Sequence, residues 1–409
     1  RVNGEPRTLE SLLHDQRDSD RSVRAQAATA IGHGLEEEAL RRSFIYTSII
    51  KNKEATDQHR RYEYPEQVRH LSNETTPAAI ETLAQTVEAY QGLFQRYYAW
   101  KAQRPGIEQL ADYDLHAPLA GVQKTYTFEE ARDCVLKAFE AFSPKMAEIA
   151  KMFFDNNWID AEPAIGKQSG AYCQYITADL HPYVFLNFQG KIDDVLTLAH
   201  ELGHAVHTML ARPKGDLQFT APLTLAETAS TFSEMLVFDA LRKELTDPRE
   251  RTAFHANKLE EIFSSIFRQI SFYRFEQKAH RFVREHGYAT PEQYQRLWLE
   301  AAKPLFGEAI SISPGYRHTW SRISHFFDRE FYVYAYAFGE LITCCLYEES
   351  TLNPEGFQEK YLELLGNGGS RSPKELLAPL GLDPESPETW KRGLEWITLL
   401  VDETTASRD

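Results

Sequence analysis

The chain has 409 residues, of which 42% are hydrophobic and 26% are charged, and its 60 acidic and 45 basic side chains give a formal net charge of −15. This negative charge argues against a nucleic-acid partner or an anionic membrane surface, and no apolar run approaches the roughly 18 residues that span a bilayer. The four cysteines show no spacing that is typical of a disulfide framework or a metal site, so we expect reduced thiols and a cytoplasmic protein.

Helical patterns dominate the chain. They are separated by Pro, Gly and Asn, and in chain order they cover residues 22–61, 77–101, 128–157, 248–287, 291–304 and 354–367. A chain of this length can form two or three domains, but no linker divides the sequence. We therefore expect one helical domain over residues 1–409. Residues 183–188 (YVFLNF), between Pro182 and Gly190, are β-branched and aromatic and predict a strand.

The segment that follows this strand contains the pattern H-E-x-x-H, from His200 to His204. Side chains four apart in an α-helix lie within about 40° of each other around the axis, so both imidazoles can reach one metal ion. Glu201 lies about 100° from His200, where it can contact a water on that metal but is not the natural third ligand. We expect this helix over residues 194–210, capped by Asp193 or Asp194. Its apolar face, opposite the histidines, consists of Val195, Leu198, Ala199, Leu202, Val206 and Met209.

A catalytic zinc site has three protein ligands and one open position, so a third ligand is needed. The next helical pattern, residues 225–234, carries Glu227 on its polar face, and Glu227 is the best third ligand. The small Ser and Thr residues beside it leave space for a second helix. Glu234, two turns later, either accepts the outer N–H of a ligating histidine or is a solvated or capping carboxylate. We interpret His207 as a hydrogen-bonded supporting or core histidine rather than a ligand.

The chain resembles the oligoendopeptidase F family, relatives of the thimet oligopeptidases. The resemblance rests on five blocks, which are YDLHAPL at 113–119, GAYC at 170–173, HELGHAVH at 200–207, ETASTFSE at 227–234 and GYRHTW at 315–320. It implies a large helical zincin-type catalytic body with a small β-sheet beside a deep active-site cleft. It also implies a zinc endopeptidase for short peptides, with one Zn²⁺ per chain on His200, His204 and Glu227 and with Glu201 as general base. Family members carry a further helical region before the catalytic part, so we expect that an N-terminal helical lobe is missing here.

The same resemblance implies donors for the oxyanion of the transition state. Family members place a His and a Tyr, ten to a dozen residues apart, over the metal, and His325 and Tyr336 match best. Tyr332 is the third choice, because it would share a helical face with Tyr336. Read without the family, however, the strict alternation of Tyr332, Tyr334, Tyr336 and Phe338 favours a strand in which the tyrosines are packing residues.

Three alternative functions remain open from the sequence. A zinc carboxypeptidase of related helical fold would need a fixed cation for the free C-terminal carboxylate, and Arg317 is a candidate for that cation. A noncatalytic peptide-binding scaffold would keep the cleft and the metal. An acid-rich helical interaction protein with a chance motif would bind no stoichiometric metal. In the resembling family, the strand at 183–188 borders the cleft, where it can pair with the backbone of a short peptide substrate.

Overall fold

The computed structural model describes residues 5–104, 106–119 and 124–406. The predicted mainly helical fold with small sheets is confirmed. The helices are α1 (Leu9–Asp15), α2 (Arg21–Glu37), α3 (Ala39–Arg60), α4 (Gln67–Ser72), α5 (Pro77–Ala89), α6 (Gln91–Gln103), α7 (Phe128–Phe142), α8 (Pro144–Asp155), α9 (Ile192–Ala211), α10 (Leu223–Ala226), α11 (Thr228–Glu244), α12 (Pro248–Ser265), α13 (Phe267–His286), α14 (Pro291–Phe306), α15 (His325–Asp328), α16 (Tyr334–Leu352), α17 (Phe357–Gly366), α18 (Pro373–Leu377) and α19 (Pro387–Ala406). A 3-10 helix covers Pro314–Arg322.

Four of the predicted long helices are each divided in two, so the prediction of unbroken helices was wrong there. The breaks lie at Glu38, Tyr90, Ser143 and Ile266. At Ser143 the backbone is extended, with φ −152° and ψ 115°, because the following Pro144 disfavours the helical conformation of the residue before it. The Ser143 hydroxyl then accepts the N–H of Met146 and caps α8. Shorter helices result, which can turn and pack against each other.

Five short strands form two sheets in the described part of the chain. Strand β1 (Leu110–Ala111) pairs in parallel with β5 (Ile310–Ser311). The other sheet has the order β2 (Ile159–Asp160), β4 (Tyr183–Phe185), β3 (Tyr172–Gln174), with β4 parallel to β2 and antiparallel to β3. The predicted strand at 183–188 is therefore shorter than expected, and it is the central strand. Since both of its edges are paired, β4 has no free edge, and β2 and β3 are the edge strands of this sheet.

The hydrophobic core is one large cluster that extends from Tyr46 in α3 to Val401 in α19. Helix α9 lies inside it and packs against α11, α7, α8 and α17. Its predicted apolar face is confirmed, since Met209 packs against the core and five side chains are fully buried, namely Val195, Leu198, Ala199, Leu202 and Val206. A small separate cluster joins α1 and α2. No helix within the described ranges is long and apolar enough to cross a membrane.

Candidate metal centre

The two histidines of the H-E-x-x-H pattern project from α9 side by side. Their ring centroids are 5.0 Å apart, with an interplanar angle of 81°. The helix begins at Ile192, two residues before the predicted start, and Asp194 caps it by accepting the N–H of Lys191 at 2.9 Å. Because this cap and the buried apolar face fix the rotation of α9, both imidazoles face the same side.

Glu227 lies between two helices rather than within one. The predicted helix over 225–234 is interrupted, because Glu227 follows the last residue of α10 and precedes the first residue of α11. From this joint its Oε2 lies 3.3 Å from His200 Nε2 and 3.4 Å from His204 Nε2. Ser230 Oγ donates a hydrogen bond to the same oxygen at 3.0 Å. The three predicted ligands are therefore brought together, and Ser230 orients the third.

The spacing of these atoms fits a zinc ion. One ligand atom from each of His200, His204 and Glu227 lies within 4.8 Å of the others. Zinc–nitrogen and zinc–oxygen distances of about 2.0–2.2 Å at tetrahedral angles separate ligand atoms by about 3.3–3.5 Å, which agrees with the two measured separations. Two imidazoles and a carboxylate are also a ligand set of catalytic zinc sites.

A glycine in the metal-binding pattern allows α9 and α11 to approach this closely. A Cβ atom built on Gly203 would lie 2.6 Å from Ala229 O, 2.6 Å from Ser230 Cα and 2.7 Å from Ser233 Oγ. No side chain can occupy that space without moving the backbone of α11. The small residues noted in the sequence therefore do serve a close helix contact.

Behind His200, a chain of charges extends into the protein. His200 Nδ1 lies 3.2 Å from Glu234 Oε2. This contact agrees with the interpretation of Glu234 as the acceptor for the outer N–H of a ligating histidine. Lys258 Nζ donates to the other oxygen of Glu234. Burial opposes the ionised form of Glu234, but Lys258 and His200 outweigh it and hold the pKa of Glu234 below its usual value. Glu234 thus fixes the ring of His200 and is itself held by a buried lysine.

Carboxylates also dominate the electrostatics of the ligands. Burial would lower the pKa of His200, but its hydrogen bonds to Glu227 and Glu234 raise the pKa to about 10. Burial raises the pKa of Glu227, and the hydrogen bonds to His200 and His204 outweigh this and lower it. A divalent cation bound between these ligands would take the place of the proton on the histidine. Metal binding at this site should therefore release a proton.

Glu201 lies beside the three ligands and is almost completely buried. It is 6% exposed, and its Oε2 atom has no hydrogen-bond partner among the described residues. Burial raises the pKa of its carboxyl group, which the nearby His200 and His204 oppose. His207 is also buried, and burial lowers its pKa to about 4, so the ring is neutral. The side chains that could together hold a metal ion are those of His200, His204 and Glu227.

Two cavities meet at Glu201. One, of about 420 Å³, which we call the strand-side cavity, is lined by β3 residues Tyr172 and Cys173 together with His204 and Glu227. The other, of about 390 Å³, which we call the acidic cavity, is lined by His200 and Glu201 and by four further carboxylate residues, namely Asp193, Glu234, Glu261 and Glu340. Burial raises the pKa of Glu261 to about 7 and that of Glu340 to about 6.

The predicted oxyanion donors are in contact with each other. His325 Nε2 lies 3.1 Å from Tyr336 Oη, and the Tyr332 ring lies 5.3 Å from the ring of His325 and 5.2 Å from that of Tyr336. Tyr332 precedes α16, so the helical face predicted for it and Tyr336 was wrong, although the two rings do meet. The alternative of a strand was also wrong, because Tyr334–Leu352 is helical.

Tyr336 belongs to the helix that packs on the third ligand. One turn further along α16, a Cβ atom on Gly339 would lie 3.6 Å from Glu227 Cβ. Burial raises the pKa of Tyr336, and the charge of Glu227 contributes. Tyr334, by contrast, is fully buried and accepts a hydrogen bond from Asn73 Nδ2 at 2.9 Å. Tyr334 is therefore a packing residue.

Arg317 does not line either cavity at the metal centre. Its Nε donates to Pro314 O at 2.9 Å, and the residue lines a separate cavity with Gly32, His33 and His318. The sequence candidate for a carboxylate-binding cation is therefore misplaced. The sequence did not reveal Lys258, whose role depends on a contact between helices that no local pattern encodes. Ser230 was noted only as a small residue, and its hydrogen bond to Glu227 was not predicted.

Comparison with known proteins agrees with this geometry. A family model described as peptidase family M3 matches residues 15–396. The chain is 30% identical over 370 residues to an oligoendopeptidase F homolog of Lactococcus lactis subsp. lactis, covering 90% of this chain and 61% of that relative. It is 30% identical over 338 residues to the oligopeptidase PepF of Bacillus subtilis, covering 81% of this chain and 50% of that relative. The chain thus spans between half and two thirds of the length of these relatives.

Solved structures show the same fold. A structure from Chlamydophila abortus superimposes with a TM-score of 0.91 at 28% identity, covering 98% of this chain and 67% of that chain. An oligoendopeptidase F from Enterococcus faecium superimposes with a TM-score of 0.78 at 22% identity, covering 98% of this chain and 67% of that chain.

Proposed function

Because this chain belongs to peptidase family M3, we propose that it is a zinc-dependent endopeptidase that hydrolyses internal bonds of short peptides. The observation that carries this proposal is the convergence of His200, His204 and Glu227 beside the buried carboxylate of Glu201. If the H-E-x-x-H pattern were accidental, a third ligand from outside its helix would not be expected beside the two histidines. Nor would an outer carboxylate such as Glu234 be expected.

His200, His204 and Glu227 would hold one zinc ion per chain. A bound zinc ion supplies Lewis acidity for the attack of water on a peptide carbonyl. Ser230 and Glu234 keep Glu227 and His200 in position through the hydrogen bonds described above. The protein therefore contributes a preformed ligand set with a remaining open side.

Glu201 is the proposed general base. Its buried Oε2 has no competing hydrogen bond from the described residues, so it is free to accept a proton from the attacking water. Burial raises the pKa of this carboxyl group, so it binds a proton more readily than an exposed glutamate does. The same carboxyl group then donates the proton to the leaving amine.

His325 and Tyr336, with Tyr332 as an alternative, are the proposed donors to the oxyanion. The hydrogen bond between His325 and Tyr336 holds the two side chains together before substrate binds. Donors that are already oriented stabilise developing charge without reorganisation during the reaction, and one such donor contributes roughly 3–4 kcal/mol in other enzymes.

An extended peptide can be held by the edge strand β3, which lines the strand-side cavity next to His204. Backbone pairing of this kind binds a peptide without reading its sequence. It suits an enzyme that accepts many short peptides, whereas a carboxypeptidase must fix the chain end.

Mass spectrometry of the products from a mixed peptide library, with and without a chelator, tests this function. We expect internal cleavage that stops with the chelator and returns with one equivalent of zinc. Cleavage of a peptide that is blocked at its C-terminus excludes an obligate carboxypeptidase. Stoichiometric zinc with peptide binding but no products would instead support a noncatalytic scaffold. Well under one equivalent of zinc after reconstitution would leave the motif as a coincidence.

A further inference from the structure

Two partly buried arginines line one cavity of the protein. The cavity has a volume of about 200 Å³ and lies between α2, α13, α14 and the 3-10 helix Pro314–Arg322. Arg268 and Arg322 line it, and the Nε atoms of both are buried and have no hydrogen-bond partner among the described residues. Neither guanidinium forms an ion pair with a carboxylate within the described ranges. We call this cavity the arginine cavity.

Three cations that are more deeply buried are paired with carboxylates. Arg24, Lys53 and Lys101 each contact a carboxylate, at 2.8 Å from Asp114, 2.9 Å from Asp57 and 2.5 Å from Glu260, respectively. Pairing is the general rule, since an unpaired buried charge costs several kcal/mol or more. Two guanidinium groups that share one cavity therefore indicate a position for an anion.

The groups around the arginine cavity balance this charge only in part, since burial lowers the pKa of Arg322 and the nearby Tyr316 and Asp112 oppose that shift without cancelling it. Arg268 Nη1 lies 3.5 Å from His116 Nε2, and burial and the neighbouring cations lower the pKa of His116 to about 3, so that ring is neutral. Among the described residues that line the cavity, the acidic one is Asp112. Its oxygens accept hydrogen bonds from Ser313 N at 2.6 Å and Ser313 Oγ at 3.2 Å. Burial and the charge of Arg322 lower the pKa of Arg268.

The arginine cavity is next to the acidic cavity of the metal centre. Ser265, the last residue of α12, lines the acidic cavity with His200 and Glu201. Arg268 follows three residues later in the first turn of α13 and lines the arginine cavity. Arg17 interacts electrostatically with Asp193 in the acidic cavity and with Arg268. The two cavities therefore lie on neighbouring parts of the junction between α12 and α13.

We propose that Arg268 and Arg322 bind a carboxylate of the peptide, and that its C-terminal carboxylate is the usual source. This rests on the proposed peptidase function. Planar guanidinium groups match the geometry of a carboxylate and can bind it through two parallel hydrogen bonds. A carboxylate held at a fixed distance from the metal centre also selects which bond is cut. We therefore expect products whose C-terminal fragments have a narrow range of lengths.

Binding to the Glu201→Gln protein tests this proposal without turnover. Three versions of one peptide are compared by calorimetry, namely a free acid, a C-terminal amide and an amide with a glutamate near its end. We expect the free acid to bind about 10-fold or more tightly than the plain amide, since hydrogen bonds to charged groups are worth about 1.5–3 kcal/mol. Tight binding of the glutamate-containing amide assigns an acidic side chain as a second source. Equal binding of all three peptides would overturn the proposal.

Three further variants locate the effect. Arg268→Gln and Arg322→Gln should remove the preference for the free acid and leave binding of the amide unchanged, and Arg268→Lys should keep part of the preference. Arg317→Gln is the matched control, because Arg317 is exposed and lies in another cavity. The melting temperature of the two glutamine variants without peptide should stay the same or rise, because a partly buried charge without an ion-pair partner has been removed. A lower melting temperature with weaker binding of every peptide would assign the arginines to the fold and overturn the proposal.

Failure of the proposed function has a different signature. A parent protein that distinguishes acid from amide in binding but cleaves neither peptide with zinc present contradicts the peptidase function alone. Cleavage of both peptides with equal kcat/KM and with unrestricted fragment lengths contradicts the arginine site alone.

Discussion

The metal ligands and the proposed oxyanion donors are held in different ways. His200 and His204 lie on one regular helix, where the spacing of four residues by itself brings the rings together. His325 and Tyr336 are eleven residues apart, and the chain between them leaves α15, passes through Phe331 at φ 55° and enters α16. The first arrangement is dictated locally, and the second requires support from the rest of the fold.

That support can be named. Phe331 N donates a hydrogen bond of 2.9 Å to Oε1 of Glu276, which is a buried residue of α13. Arg69 Nε donates to Glu330 O at 3.2 Å, and Asn73 is bonded to Tyr334. A bulky residue at positive φ costs of order 1–3 kcal/mol and persists only where its surroundings fix it. The comparison therefore predicts that changes at the metal ligands act on chemistry and metal, whereas changes near Phe331 act through the shape of the segment.

The largest effect is expected at the general base. Glu201→Gln should retain zinc and lower kcat by about 10³-fold, because an amide can hydrogen-bond the water but cannot accept its proton. Steady-state kinetics at saturating peptide and zinc analysis of the same preparation measure both quantities. A variant with more than about a tenth of the parent kcat would move the general-base role to another residue.

The next largest effect separates oxyanion donors from packing residues. His325→Ala and Tyr336→Phe should each lower kcat by about 10²-fold while zinc content and melting temperature change little. Tyr334→Phe is the matched control, since it removes a hydroxyl group from a buried tyrosine that faces Asn73 instead of His325. If Tyr332→Phe loses activity and Tyr336→Phe does not, the donor is Tyr332.

Features that depend on one helix were predictable from the sequence, whereas features that depend on contacts between distant segments were not. The ligand face and the apolar face of α9 were predicted because a single helix repeats every 3.6 residues. Glu227 was identified by its residue type, but the helix break at that position carries no Pro or Gly signal. The alternating tyrosines were misleading because α16 is buried on nearly all sides, so its aromatic residues follow no single face. Strand β4 was predicted from its residue types, but its central position depends on pairing with the distant β2.

The close contact between α9 and α11 provides the third prediction. Gly203→Ala should lower the free energy of unfolding by about 3 kcal/mol, the upper end for overpacking, because the new methyl group meets backbone atoms of α11. It should also weaken zinc binding, since α11 begins next to Glu227. Gly34→Ala in α2 is the control. A Cβ atom there meets nothing within 4 Å, and alanine should stabilise the helix by about 0.5–1 kcal/mol. Equal stability of the two variants would show that the helices can separate without cost.

The smallest effect concerns pH and the support of the 325–336 segment. His70 is 4% exposed, its ring lies 5.6 Å from that of Tyr334, and burial lowers its pKa from 6.5 to about 4. Between these two values the unfolded chain binds a proton that the folded protein does not. The stability contributed by neutral His70 is therefore complete above about pH 6.5 and is lost as the pH falls towards 4.

His70→Gln should remove this part of the pH dependence. We expect the free energy of unfolding to fall between pH 7 and pH 5 by about 2 kcal/mol less in the variant than in the parent, at about 1.4 kcal/mol for each pH unit below 6.5. Urea unfolding in the presence of a chelator measures this difference without the linkage between zinc and protons. His59→Gln on the exposed end of α3 is the control, because solvent surrounds that ring in both states. Parallel curves for the parent and His70→Gln would mean that the ring does not stay neutral against Tyr334, and that this side of the segment tolerates a charge.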